Sequence, residues 1–243
     1  MSQQNFNIQS KNLQVFLFDN CFNCLVTKSL TFQPLCCRMC ISGDFKEKIM
    51  GWIHGVGWYE KGEFTACVGK KHNKEYKLWS GMLERCYSEV FKELEPTYKK
   101  CEASNNFKNY QFFAKWCQSQ IGFKNKGWHL DKDILIKGNK LYSEDTCVFV
   151  PREINNFLTL RVNHRGQCPI GVKWHKGVGK YYAAVSIEGV TKHLGYFENV
   201  DAAFKCYSSE KERLAKCLAE KWRGIVDDRV VEALIAYKVE LGD

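Results

Sequence analysis

A chain of 243 residues, 26% charged and 45% hydrophobic, has the balance of a globular protein and room for two or three small domains. No apolar run approaches the roughly 20 residues that span a bilayer. The opening MSQQNFNIQSKNLQ also lacks the basic-then-apolar order of a secretory signal, so the expectation is an intracellular protein, neither secreted nor in a membrane. A formal net charge of +9 suits a polyanionic partner.

The thirteen cysteines are odd in number and mostly scattered among apolar residues, which favours reduced thiols over a disulfide framework. Five fall early. Cys21 and Cys24 form one CxxC pair, and Cys37 and Cys40 form a second, with Cys36 alongside. Four thiolates on two tight turns complete a tetrahedron, so residues 1–49 read as a zinc-ribbon-like segment holding structural Zn²⁺ on Cys21, Cys24, Cys37 and Cys40. The spacing also reads as chance in a Cys-rich chain, and LCCRMC leaves Cys36 as an alternative third ligand.

Glycines at 55, 57 and 62 mark turns between short strands up to Val68, and Lys70 to Lys74 form a basic patch. Apolar residues then recur at helical spacing from Glu75 to Val90, through Tyr76, Trp79 and Leu83. Pro96 breaks that pattern. Ser104 caps a second expected helix, with Phe107, Tyr110, Phe113 and Cys117 on one side.

The next stretch, from Trp128 to Phe157, reads strand, polar loop, strand and short helix. Alternation along the first strand puts His129, Asp131 and Asp133 on one face. The helix from Arg152 to Leu158 brings Asn155 and Asn156 toward them, with Pro151 in its first turn. Such a set suits a divalent cation or an activated water. The residues also read as a solvated hairpin whose acids pair with nearby lysines.

LDKDIL, KGNK, YS and CVFVP leading into Ile154 and Asn155, preceded by W..ML.RCY, resemble the HNH motif of phage homing-type endonucleases. The resemblance implies a ββα nuclease domain over residues 50–157, with two helices bracing the hairpin. It implies Mg²⁺ or Mn²⁺ on Asp131 or Asp133 together with Asn155. The family reads Asp-His where this chain reads Asp131, Lys132, Asp133; His129 on the same face is the candidate base. That departure leaves a second reading open, a catalytically inactive DNA-binding regulator.

Residues 158–169, with Arg161, His164 and Arg165, read as a basic linker. Three strands follow in GVKWHK, KYYAAVSIEG and TKHLGYF. One face carries Val172, Trp174, Tyr181, Ala183, Val185, Ile187 and Leu194; the other carries Lys173, His175, Lys180, Tyr182, Ser186, Thr191 and His193. Asp201 is the expected cap of a helix from Ala202 to Trp222 covering the apolar face. GVKWHK, GKYYAA, HLGYF and VDAAFKCY resemble the ethylene-response-factor type of DNA-binding domain, here over residues 170–223. That resemblance implies double-stranded DNA as partner, with Lys173, His175, Ser186, Thr191 and His193 at the family's contact positions. Arg forks read guanine in ways that His, Ser and Thr do not, so the reading concerns DNA more than a particular sequence. Residues 224–243 read as a last helix, capped by Asp227 or Asp228, with Val230, Leu234, Tyr237 and Leu241 on one side. The expected fold class is α+β, with no small-molecule cofactor.

Overall fold

Polar side chains decide where the helices begin. A computed structural model describes residues 51–159, 168–187 and 189–243. The expected zinc ligands Cys21, Cys24, Cys37 and Cys40, and most of the expected linker, lie outside the described residues. Two short hairpins open the described part: β1 (Gly51–Ile53) with β2 (Gly57–Tyr59), and β3 (Cys67–Val68) with β4 (Lys71–His72). Asn73 then accepts the Tyr76 N–H at 2.9 Å and caps α1 (Lys74–Tyr87). The periodic stretch to Val90 is not one helix, because the Ser88 hydroxyl accepts the Phe91 N–H and starts α2 (Glu89–Leu94).

The second expected helix divides for the same reason. Ser104 caps α3 (Asn105–Lys108), and the Asn109 side chain accepts from Gln111 and Phe112 to begin α4 (Tyr110–Ser119). Such side chains satisfy N–H groups that a helix start leaves unpaired, so each is a local restart signal. β5 (Glu102–Ala103) pairs in parallel with β7 (Leu141–Tyr142).

β6 (Trp128–Asp131) pairs antiparallel with β8 (Val148–Pro151), and α5 (Arg152–Leu158) follows directly. Pro151 closes β8 and stands at the cap of α5 instead of inside its first turn. All four residues of β8 are buried, and alternation sends Val148, Phe149 and Val150 to two different cores. Phe149 joins Trp79, Phe107, Tyr110 and Phe113 from α1, α3 and α4. Val148 and Val150 join Ile154 of α5 and the apolar residues of the last two helices.

The largest sheet has the order β11-β10-β9, from β9 (Val172–His175), β10 (Lys180–Ile187) and β11 (Val190–Phe197). Its packed face buries Val172, Ala183 and Val185 against Ala203 and Tyr207 of α6 (Val200–Trp222). α6 begins at Val200, one residue before Asp201, because Asn199 accepts the Ala202 N–H at 2.8 Å and is the cap. α7 (Asp228–Ala236), capped by Asp227, ends before Tyr237 and Leu241, and Leu241 is exposed. Val230, Val231 and Leu234 of α7 pack with Leu218 of α6 and with β8 and α5. The molecule is therefore α+β, with seven α-helices and small, mainly antiparallel sheets among the described residues. No helix among the described residues is long and apolar enough to cross a membrane.

Candidate functional site

Two surfaces gather the candidate residues. The first is a cleft of about 410 Å³ lined by His129, Asp131, Lys132 and Asp133, by Asn155 of α5, by Leu78 and Arg85 of α1, and by Tyr98 and Tyr142. The β6–β8 register places Leu130 opposite Phe149, toward the first core, and His129 and Asp131 on the other face opposite Val150 and Val148. Alternation thus carries His129 and Asp131 to one side, as expected. It does not extend to Asp133, because β6 ends at Asp131.

The strand ends there because Asp131 turns the chain. One carboxylate oxygen, Oδ1, accepts the N–H groups of Asp133 at 2.7 Å and Ile134 at 2.8 Å. This Asx-type turn is the local geometry Asp favours. Burial raises the Asp131 pKa, and the two N–H donors pull against that rise. Among the described residues Oδ2 makes no hydrogen bond, and Asp131 lines the cleft. Asp133 is half-exposed and forms an ion pair with Lys132, whose Nζ also donates to the Asn139 carbonyl at 3.0 Å. Lys132 is itself buried, so the pair is an internal brace of the loop. His129 is exposed at the rim. Among the described residues, no three His, Cys, Asp or Glu side chains converge as a metal-ligating group.

On the α1 side of the cleft, the Arg85 Nε–H donates to the Tyr142 hydroxyl at 3.2 Å, and the guanidinium stands 5.7 Å from the Tyr142 ring centroid. Burial pushes the Tyr142 phenol well up, so at neutral pH it is an uncharged partner.

The second surface is the sheet face turned away from α6. Lys173, His175, Ser186, Thr191 and His193 are exposed on it, and Lys180 and Tyr182 are partly so. Cross-strand pairing sets Lys173 opposite Tyr182, His175 opposite Lys180 and Ser186 opposite Thr191. The Tyr182 and His193 rings stack with centroids 4.8 Å apart. Lys180 is tied to Glu198 at 2.6 Å, while His175 Nδ1 accepts the Val178 N–H and fixes the β9–β10 turn.

One member of this face is not predicted by strict alternation. A bulge shifts the register so that Gly195 faces Ala183 while His193 faces Ala184, leaving Leu194 as the extra residue. Tyr196 therefore joins the open face, 44% exposed, with its ring 4.8 Å from His193 and 5.5 Å from His175. Phe197 goes to the packed side. The readable signal is Gly195, whose φ of 143° lies in a region that other residues rarely adopt. Trp174 departs in the opposite sense: expected to pack, it is 49% exposed, because the core under α6 includes Val172 but not Trp174.

No protein-family model, no curated protein and no solved structure matches the chain.

Proposed function

We propose that the chain binds duplex DNA through the open face of β9, β10 and β11 and nicks it with a divalent metal at the cleft beside β6. One observation carries the nuclease part. β6 and α5, joined through β8, deliver a carboxylate with one uncommitted oxygen, a primary amide and an exposed imidazole to the same cleft. This is the strand, strand, helix order of the HNH-like enzymes the sequence resembles.

The residues fit a hard cation. Mg²⁺ needs only one or two protein carboxylates and keeps several waters, so Asp131 Oδ2 and the Asn155 amide oxygen are a sufficient protein share, without a third His, Cys, Asp or Glu. Mg²⁺ or Mn²⁺ held there would supply positive charge to a phosphate oxygen. His129 would take a proton from water at the rim. Asp133, held by Lys132, would shape the loop more than it would bind metal. Zn²⁺ on Cys21, Cys24, Cys37 and Cys40 remains a proposal from sequence, a closed site of structural use.

A second reading keeps the DNA-binding face and drops catalysis, making the chain a regulator. It is favoured by the commitment of Asp131 Oδ1 and of Asp133 to interactions within the protein. Supercoiled plasmid with Mg²⁺ or Mn²⁺ separates the two. The parent should give nicked circles, and Asp131→Asn, which keeps a turn acceptor, should lose on the order of a hundredfold in rate. A parent that retards DNA in a gel yet yields no metal-dependent product leaves the regulator reading standing and removes the nuclease.

A further inference from the structure

The cleft holds a cation that the nuclease reading does not use. Among the described residues, Arg213, Arg223 and Arg229 each pair with a carboxylate, and Arg152 stands in solvent. Arg85 does neither. It is partly buried on the inner side of α1, near Met82 and Cys86 of the first core, and its recorded hydrogen bond is to a neutral phenol. The other cation of the cleft, Lys132, is spent on Asp133 and on the Asn139 carbonyl.

Drawing a guanidinium partly out of water, with no carboxylate paired to it among the described residues, costs free energy, so its retention here needs a reason. The geometry offers one. Tyr142 anchors Nε, and Tyr142 and Tyr98 line the same wall, which restricts the side chain before any ligand arrives. Nη1 and Nη2 are then left as a planar pair of donors, the fork that matches two oxygens of a phosphate. Gly81, one turn earlier on α1, lies beside the guanidinium: a Cβ there would stand 3.7 Å from Arg85 Nη1, an ordinary contact.

We propose that Arg85 is a phosphate-binding residue, its terminal amino groups holding two oxygens of a nucleic-acid backbone phosphate that enters the cleft. The inference rests on the reading of this cleft as the place where the DNA backbone enters, and it adds the group that receives the phosphate. The Asp131 side of the cleft is negative and repels a phosphate unless metal is bound. Arg85 attracts the phosphate with or without metal, and this makes the two roles separable.

The test uses the full chain, ¹⁵N-labelled and metal-free, titrated with inorganic phosphate while the arginine Nε–Hε signals are followed. The Arg85 signal is assigned by its loss in Arg85→Lys. It should shift saturably while those of Arg213, Arg223 and Arg229 stay in place. Arg85→Lys keeps the charge and loses the fork, so the affinity read from the Lys132 and Tyr142 amides should fall about tenfold. An Arg85 signal that stays still, or drifts linearly with the other arginines, overturns the proposal. Saturation in a protein that never nicks plasmid upholds the phosphate site and removes the nuclease. A still signal together with parental nicking by Arg85→Lys does the reverse.

Discussion

The cleft and the sheet face treat their polar groups in opposite ways. In the cleft, most charge is consumed internally: Asp131 Oδ1 by two backbone amides, Asp133 by Lys132, and Lys132 in turn by the Asn139 carbonyl. On the sheet face, Lys173, Ser186, Thr191 and His193 stand exposed, and the rings of Tyr182, His193 and Tyr196 touch mainly one another. A surface with uncommitted groups is suited to binding a partner of varied sequence. A surface whose groups are already placed is suited to one geometry, with Asp131 Oδ2, Asn155, His129 and Arg85 left to act.

Despite that contrast, the two surfaces are not independent bodies. Leu234 of α7 packs in one core with Val150 and Ile154 beneath the cleft and with Leu218 of α6, whose earlier turns carry the sheet. Leu234→Ala should therefore cost about 2–5 kcal/mol, the usual range for emptying such a site. In urea, a probe of the cleft and a probe of the sheet should lose structure at one shared, lowered midpoint. Two separated transitions, with the sheet keeping the parental midpoint, would break the shared-core account.

A smaller effect sharpens the contrast between the faces. Lys173 and Tyr196 support no core, so Lys173→Ala with Tyr196→Ala should leave the melting temperature unchanged. Duplex affinity should drop about tenfold, and the Lys173 change alone should reduce the salt slope by about one. Parental affinity in the double variant would remove the sheet face as the DNA-contacting surface.

How far the sequence speaks for these surfaces depends on the range of the forces involved. The strand, loop, strand, helix order from Trp128 to Leu158 is legible because β8 is an unbroken apolar run and α5 follows Pro151 directly. The two faces of the β9–β11 sheet are legible from period-two alternation as far as His193. Legibility fails where one residue changes the count. The bulge at Leu194 and Gly195 moves Tyr196 across the sheet, and Ser88 and Asn109 restart helices whose apolar spacing runs on without interruption. Alternation does not decide the place of Asp133, because it assumes that the strand continues, whereas the Asp131 side chain ends it. Arg85 stands in W..ML.RCY, but helical spacing does not show its partner, because Tyr142 lies 57 positions along the chain.

Lys211 sits at the joint between the two regions and follows neither rule. It lies on α6, is 7% exposed, donates to the Phe157 carbonyl at the end of α5 at 2.6 Å, and stands 3.5 Å above the Phe157 ring. Burial pulls its pKa down from 10.5 to about 8. The folded pKa is lower than the unfolded one, so below about pH 8 both states carry the proton and the fold bears the full burial cost. As pH rises from about 8 to 10.5 the folded state sheds its proton first, and that cost is progressively relieved. The gap corresponds to about 3 kcal/mol at most, and the contact with the Phe157 ring, which favours the cation, offsets part of it. Lys211→Met should thus be more stable than the parent near neutral pH by roughly 1–2 kcal/mol, with the advantage shrinking as pH climbs through that window. Urea midpoints for both proteins on either side of the window check it. An advantage that holds constant with pH, or a variant less stable at neutral pH, would mean that the cation over Phe157 stabilises the joint instead of straining it.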